Sequence, residues 1–315
     1  MSNDQNHGKE PLLTVVTLAY NHGRFLREYM EGVLSQKTSF PFRVIITDDA
    51  STDDTAAIIR EYAAKYPDIF KPHFFTENQF SKGRSIVKDY VIPELRKNPT
   101  KYVAFCEGDD FWTYPEKLQK QVDFLESHPD YSACYHHYAT VFEPGVEGEQ
   151  TQFNLRRSRR LSIYDILIER QFQLASTVIR AEVLLNDEEL LSYLGTSHYA
   201  DYALFLASYN AGKVFCLKEW WSAYRVHPKG ISHKDSPEEI ERRHIEVLKN
   251  LSKLYKGRYG RFDRMWCKRI RMRDKLAEAT QARRAGKYPA YLVKIGAAFL
   301  SDPAEFIKTY YKQWQ

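Results

Sequence analysis

The sequence predicts an α/β protein whose mixed, mainly parallel sheet is flanked by helices and followed by a helical C-terminal extension. In roughly the first third of the chain, short apolar runs rich in Val, Ile and Thr alternate with helix-patterned segments, as in repeated β-α-β units. Acidic clusters at 48–54 and 107–110 each follow such a run. Ligands of these sheets bind beyond the carboxyl ends of the strands, so we expect a site there.

Each element of the first half rests on local spacing or on a capping residue. The first helix carries Phe25, Tyr29 and Val33 at helical spacing, and Ser51 can cap the second helix. The predicted elements are, in chain order, a strand at Leu12–Thr17, a helix at Arg24–Gln36, a strand at Phe42–Thr47, a helix at Asp54–Lys65, a strand at Pro72–Thr76, a helix at Ser85–Arg96 and a strand at Tyr102–Cys106.

The second half is less regular. A helix is predicted from Pro115 to about His128, and the alternation after it predicts a strand at Tyr131–Phe142. Residues 143–160 have a loop-like composition and end in a basic run, after which a mixed section continues to about Ser232. Beyond Ser236 the chain is expected to be helical.

Composition excludes several classes of protein. With 315 residues, 43% of them hydrophobic, the chain is long enough for one large domain or two smaller ones. The net charge of +5 does not by itself indicate nucleic-acid binding. Cys106, Cys134, Cys216 and Cys267 form no CxxC pair and are expected as free thiols, three of them buried, in a reducing compartment. Residues 1–10 lack a signal-peptide pattern and no stretch is apolar enough to span a bilayer, which indicates a cytoplasmic protein.

The two acidic clusters indicate a ligand-binding site. Glu107, Asp109 and Asp110 come directly after an apolar run, and Asp48 and Asp49 come after another. Carboxylates this close repel one another. A bound divalent cation such as Mg²⁺ or Mn²⁺, which prefers oxygen ligands, usually compensates this repulsion. The clusters therefore suggest a site for a metal and a phosphorylated ligand. G-x-G-x-x-G, Walker A, nucleophile-elbow and HExxH motifs are absent, so oxidoreductase, P-loop kinase, α/β-hydrolase and zincin functions lack support.

Five segments in fixed order carry a family resemblance. They are Thr14–Asn21, Ile45–Asp53, Glu107–Asp110, Ala200–Leu206, and Tyr224–His227 with Gly230–Ser232. They resemble the strand ending in Tyr-Asn, the DDxSxD segment, the DxD-type motif, the ED motif and the late histidine motif of family 2 glycosyltransferases. The resemblance covers residues 11–232, about two-thirds of the chain. It implies a Rossmann-like GT-A fold and inverting transfer from a nucleotide sugar.

The resemblance also implies a metal site and a catalytic base. Asp110 would be a direct ligand of Mn²⁺ or Mg²⁺, Asp109 would contact the ribose or the metal's waters, and His227 would complete the site. Asp201 would deprotonate the acceptor hydroxyl. From the residues alone, Asp201 could instead favour the dipole of its helix, and His227 could be a strand-end histidine bonded to a carbonyl.

The nucleotide is expected over the ends of the first two strands. By the resemblance, Thr17, Tyr20, Asp48 and Asp49 would bind it. Asp49 would accept hydrogen bonds from the uracil or the ribose, and Tyr20 would pack against the base. A structural role is the alternative for Asp48, whose carboxylate could accept hydrogen bonds from backbone amides of the following turn.

Basic residues give two further expectations. Lys82 and Arg84 lie on a loop after the third predicted strand, where they could pair with a pyrophosphate or be solvated surface charge. The helical segment from Lys256 to Lys287 concentrates lysine and arginine. It could pack on the catalytic domain or attach to anionic lipid.

The resemblance sets the expected domains and function. Residues 1–10 would be disordered, 11–235 would form the GT-A domain with a nucleotide-binding half (11–110) and an acceptor half (111–235), and 236–315 would be helical. The expected activity is metal-dependent transfer from a nucleotide-diphosphate sugar, a UDP-sugar being favoured, to a glycan or lipid-linked acceptor in bacterial surface polysaccharide biosynthesis. The protein would be cytoplasmic or peripheral on the inner face of the membrane, without a nucleic-acid partner. The alternatives are a nucleotidyltransferase using a nucleoside triphosphate, and a non-catalytic nucleotide-sugar or glycan-binding module.

Overall fold

The chain divides into two compact units, residues 1–234 and 235–315. The computed structural model describes residues 10–146, 157–169, 172–194, 200–230, 237–256, 260–304 and 306–307. The disorder expected at 1–10 and the start of the basic run at Arg156 therefore lie outside the described residues, apart from Glu10.

Nine strands in the described part of the first unit form one mixed sheet. They are, in chain order, β1 (Leu13–Ala19), β2 (Phe42–Asp48), β3 (Phe70–Phe74), β4 (Tyr102–Phe105), β5 (Phe111–Trp112), β6 (Tyr131–Phe142), β7 (Arg159–Arg160), β8 (Val178–Arg180) and β9 (Lys213–Val226). The order across the sheet is β3-β2-β1-β4-β8-β6-β9-β5, with β7 also paired to β9. Strands β1 to β4 are parallel, as predicted, and β8 runs antiparallel to both β4 and β6.

The register of the parallel strands gathers their carboxyl ends at one edge. Ala19 at the end of β1 lies opposite Asp48 at the end of β2, and Val16 lies opposite Phe105 at the end of β4. Six of the seven residues of β1 are buried, on both faces of the strand, which accounts for its almost continuously apolar sequence. The loops that leave this edge therefore bring both acidic clusters to one side of the sheet.

Helices of the first unit pack on this sheet through their apolar faces. Helix α1 buries Phe25, Tyr29 and Val33, the residues whose spacing predicted it. A Cβ atom at Gly32 would lie 2.9 Å from the carbonyl oxygen of Trp112, so glycine lets α1 approach β5 closely. The helices are α1 (Gly23–Leu34), α2 (Thr55–Lys65), α3 (Ile92–Lys97), α4 (Lys117–Ser127), α5 (Ala181–Asn186), α6 (Glu188–Tyr193) and α7 (Ala200–Ala211).

The helix predicted at Ser85–Arg96 is divided in the structure. Its first part is a π-helical turn at Val87–Val91, and α3 follows directly with Pro93 in its first turn. Proline has no N–H to donate and its ring crowds the preceding turn, which favours such a change in winding. The strand predicted at Pro72–Thr76 lies at Phe70–Phe74 in the structure, and it includes Pro72, which is tolerated because β3 is an edge strand.

Buried polar side chains occupy the core below the acidic edge. The ammonium of Lys117 is fully buried, 4.3 Å from the centroid of the Trp112 ring, and burial lowers its pKa to about 7. The thiols of Cys106, Cys134 and Cys216 are also buried, which confirms the expectation of three buried free cysteines. Burial raises the pKa of Cys106 and Cys134, so these thiols have the character of core residues rather than nucleophiles.

The second unit is helical, with α8 (Pro237–Leu254), α9 (Gly260–Arg284) and α10 (Tyr288–Ser301). Helices α9 and α10 share a small core of Met272, Leu276 and Ala298. Gly286, with φ of 70°, provides the left-handed residue in the turn that joins them. No helix in the described part of the chain has the length and apolar character needed to cross a bilayer.

Candidate active site

The loops after β1 and β2 are bound to each other at the acidic edge. Asn21 adopts a left-handed backbone conformation with φ of 55°, which asparagine tolerates better than most residues. Its N–H donates to Ser51 Oγ (2.9 Å), and its side-chain oxygen accepts from the N–H of Thr52 (2.8 Å). The Tyr-Asn pair and the DDxSxD segment therefore form one connected surface.

Tyr20 and Thr17 lie differently with respect to this surface. The Tyr20 side chain, directly after β1, is 45% exposed, as a residue that packs on a ligand requires. Thr17 is fully buried within β1, where its hydroxyl is hydrogen-bonded with that of Tyr29. The structure thus brings Tyr20 to the exposed edge and keeps the Thr17 side chain in the core.

The two aspartates at the end of β2 are both buried and have different partners. Asp48 accepts a long hydrogen bond (3.4 Å) from the N–H of Ser51, which is the structural contact considered for it. The Asp49 carboxylate accepts from the N–H groups of Gln79 (2.6 Å) and Phe80 (3.1 Å). Asp49 therefore anchors the loop after β3, a role that its sequence position did not reveal.

The anchored loop carries the two predicted cations. Lys82 forms an ion pair with Glu77, and Arg84 Nη1 lies 3.4 Å from the side-chain oxygen of Gln79. Both basic side chains are exposed. Because the Asp49 contacts fix the backbone of this loop, Lys82 and Arg84 are held on the same edge of the sheet as the aspartates.

The second acidic cluster forms a compact group of oxygen ligands. One carboxylate oxygen from each of Glu107, Asp109 and Asp110 lies within 4.8 Å of the others. Burial, reinforced by the charge of Asp109, raises the pKa of Glu107 to about 8 and that of Asp110 well above its ordinary value. Such crowding destabilises the charged forms unless a cation compensates it, so these residues fit a divalent metal.

Two histidines flank Asp109. His227, directly after β9, places Nε2 3.2 Å from Asp109 Oδ2, and His22 places its Nε2 3.6 Å from the same oxygen. Burial raises the pKa of Asp109, but the two imidazoles outweigh it, and the pKa falls below its ordinary value. His227 was predicted and is joined to the cluster through Asp109, whereas His22 was missed.

Gly108 makes this arrangement possible. A Cβ atom there would lie 3.0 Å from His22 Nδ1, 3.1 Å from Leu26 Cδ1 and 3.2 Å from the Cβ of Ala19. Glycine is therefore required by close packing of the acidic loop against α1 and the end of β1. The same contact brings His22 beside Asp109.

Arg225 is the second residue that sequence reasoning missed. Its backbone N–H donates to Asp110 Oδ1 (2.9 Å), and its side-chain Nε donates to the carbonyl oxygen of Asp109 (3.0 Å). Nη1 contacts Glu143 Oε1 (2.7 Å), and Nη2 forms an ion pair with Glu28. Arg225 thus holds the acidic loop against the ends of β6 and β9. The only sequence signal was its place two residues before His227.

We expect the substitution Arg225→Met to lower the free energy of unfolding by about 3 kcal/mol, the lower end for a broken buried ion pair, because Arg24 still pairs with Glu143. Urea denaturation measures this change. The matched control is Arg27→Met, which breaks the exposed pair with Glu61 and should lower the free energy of unfolding far less, because solvent screens that pair. Equal effects of the two substitutions would contradict the anchoring role of Arg225.

Asp201 lies in the first turn of α7, half-buried. After the larger effects of burial and of Asp109, its charge contributes to the raised pKa of Glu107. Asp201 is therefore within electrostatic range of the acidic cluster. The preceding residues, 195–199, lie outside the described residues.

Known proteins share the sequence pattern and the fold. The sequence model of the family described as Glycosyl transferase family 2 matches residues 14–181. An uncharacterized protein of Mycobacterium tuberculosis is 34% identical over 221 residues, which are 70% of this chain and 60% of that protein. The chain thus spans about 60% of the length of this curated relative.

Two solved structures match almost the whole chain. TarS 1-349 of S. aureus, in complex with UDP-GlcNAc, has a TM-score of 0.59 at 15% identity over 93% of this chain and 82% of that chain. The mannosyltransferase PcManGT from Pyrobaculum calidifontis, in complex with GDP-Man and Mn²⁺, has a TM-score of 0.54 at 19% identity over 98% of this chain and 88% of that chain. These similarities confirm the predicted GT-A fold. Since the family model matches more than half of the residues, the chain belongs to glycosyl transferase family 2.

Proposed function

We propose that this protein is a metal-dependent inverting glycosyltransferase, which moves a sugar from a nucleotide-diphosphate sugar to a hydroxyl of a glycan or lipid-linked acceptor. One observation supports the proposal most: the carboxylates of Glu107, Asp109 and Asp110 meet His227 at the carboxyl edge of the sheet, within electrostatic range of Asp201. The reaction requires a metal that neutralises the leaving diphosphate and a base that takes the proton of the acceptor hydroxyl, and these residues fit the two roles.

On this proposal the nucleotide lies over the ends of β1 and β2. The exposed ring of Tyr20 packs on the base. The Asp49 carboxylate accepts two backbone hydrogen bonds, and its other two lone-pair positions would accept from the nucleotide. Asp109 contacts the ribose. Lys82 and Arg84 stand on the loop nearby as counter-charges for the diphosphate. A uridine nucleotide is favoured, since the similar TarS structure contains UDP-GlcNAc.

Asp110 and His227 would hold the metal, with Asp109 beside them. Carboxylate and imidazole groups are ligands of Mn²⁺, and Mg²⁺ suits the carboxylates. When bound, the ion would neutralise the charge that develops on the diphosphate leaving group. The similar PcManGT structure contains Mn²⁺, which makes this ion the first to test.

Asp201 would act as the base. As the hydroxyl of the acceptor attacks the anomeric carbon, Asp201 would take its proton, while the sugar–phosphate bond breaks and the nucleoside diphosphate departs. A single base without a second, nucleophilic carboxylate implies inversion at the anomeric carbon.

We further propose that the reaction serves surface polysaccharide synthesis at the inner face of a bacterial membrane. The charge of the chain supports this location. Residues 235–315 contain 19 lysine and arginine residues and 10 aspartate and glutamate residues, an excess of positive charge that anionic lipid attracts.

A thermal-stability screen tests the proposed donor. A ligand that binds only the folded protein raises the melting temperature, and 100-fold excess over Kd contributes about 2.7 kcal/mol. UDP-sugars should stabilise the protein in the presence of Mn²⁺ and much less in EDTA. Stabilisation by nucleoside triphosphates alone would favour a nucleotidyltransferase instead.

A further inference from the structure

The α9–α10 hairpin has two different apolar faces. Ile295 and Ala298 of α10 pack toward Met272 and Leu276 of α9, which accounts for one side of α10. The opposite side carries Leu292, Val293 and Leu300, which are 64%, 73% and 79% exposed. Tyr288, one turn before Leu292, is 63% exposed, whereas the ring of Phe299 packs against Phe306. We name Tyr288, Leu292, Val293 and Leu300 the α10 ridge.

The spacing of the α10 ridge makes it continuous. Tyr288, Leu292 and Leu300 are separated by multiples of four residues, so they lie along one side of the helix, over about 18 Å at 1.5 Å per residue. Gly296 lies between them, and a Cβ atom added there would meet nothing within 4 Å. An apolar strip of this length on an exposed helix marks an interaction surface.

Basic residues border the α10 ridge at its N-terminal end and indicate the partner. Arg284 and Lys287 are exposed at the turn that leads into α10, and Arg271 is exposed on α9. Between Lys256 and Lys294 the sequence contains 13 basic and 3 acidic residues. An apolar ridge with a basic border matches a helix that lies in the headgroup region of an anionic bilayer. The sequence after the helix adds Tyr310, Tyr311 and Trp314, residue types enriched at such interfaces.

We propose that the α10 ridge inserts into the headgroup–acyl boundary of anionic membranes, with the basic residues around it in contact with lipid phosphates. The inference deepens the proposed function, because it specifies how the enzyme would reach a lipid-linked acceptor. It does not depend on the chemistry at Asp110 or Asp201. An insertion site on α10 is distinct from purely electrostatic attachment, since it requires apolar side chains.

Vesicle sedimentation with the full chain tests the inference. Wild-type protein should sediment with vesicles that contain phosphatidylglycerol, and binding to neutral vesicles should be much weaker. The double variant L292N/L300N should lower the partition coefficient at least tenfold. Met265→Asn, which changes an exposed apolar residue of α9, is the matched control and should change it less than twofold. A second variant, Gly296→Asp, improves helix propensity yet places a charge on the ridge, so it should also weaken binding.

Two readouts separate the possible outcomes. Donor hydrolysis in solution should be unchanged in L292N/L300N, so a lost membrane contact is distinguished from a lost active site. Wild-type-like vesicle binding by L292N/L300N would overturn the inference. It would also be overturned if the wild type bound no anionic vesicles. A dimer that the same substitutions dissociate would then identify the ridge as a protein interface.

Discussion

Replacement of Asp110 by alanine is expected to abolish metal-dependent binding of UDP while leaving the protein folded. Asp110 is buried, and its carboxylate accepts only one backbone hydrogen bond that the structure records, from Arg225. Burial, together with the charges of Asp109 and Glu107, raises its pKa, so removal of this carboxylate relieves repulsion as it deletes the proposed ligand. Calorimetry should show the affinity gained from Mn²⁺ in the wild type and no such gain in Asp110→Ala.

Asp54→Ala is the matched control for this experiment. Asp54 belongs to the other acidic strand end, is exposed, and makes no side-chain capping bond to α2. We expect its metal-dependent affinity to equal that of the wild type. Metal-dependent UDP binding that survives in Asp110→Ala would remove Asp110 from the metal site and leave Glu107 and Asp109 as the candidates.

Asp201→Asn is expected to lower the rate of sugar transfer by about 10²–10⁴-fold while the affinity for the donor is kept. A base acts on the acceptor hydroxyl, and the amide cannot take up its proton. The change is nearly isosteric, so folding should be retained. Initial rates at saturating donor measure the effect, and calorimetry with UDP and Mn²⁺ measures the donor affinity.

Asp187→Asn controls for a helix-terminal role. Asp187 also lies at a helix N-terminus, where its carboxylate accepts from the N–H of Leu190 (2.8 Å). This substitution should leave transfer unchanged. If Asp201→Asn transfers sugar within threefold of the wild type, Asp201 serves only the helix dipole, and the base is another residue.

Local pattern accounts for β1, β2 and β4. Their apolar runs are buried on both faces, and the acidic residues that follow the runs of β2 and β4 lie at the carboxyl edge of the sheet. The pairing of β8 between β4 and β6 could not be predicted, because a three-residue strand contains no local signal for its partners. Strand pairing is decided by the tertiary packing of all strands together.

In the candidate site, too, some residues can be recognised from local sequence and others only from the folded structure. Asp109 and Asp110 are recognisable because the clustered carboxylates are adjacent in the sequence. Arg225 is 115 residues from Asp110 in sequence, and its role depends on side-chain contacts that only the folded chain creates. Asp49 is an intermediate case: its place at a strand end was evident, but its bonds to Gln79 and Phe80 required the conformation of a distant loop.

The most direct test of the proposed function is the product of donor turnover. Purified protein with Mn²⁺ is incubated with UDP-GlcNAc, other UDP-sugars and GDP-mannose, and separately with nucleoside triphosphates, and the products are identified by chromatography. We expect release of a nucleoside diphosphate and a sugar from one of the nucleotide sugars, and no release by Asp110→Ala. Pyrophosphate release from a triphosphate, or tight binding of a nucleotide sugar without any turnover, would contradict it.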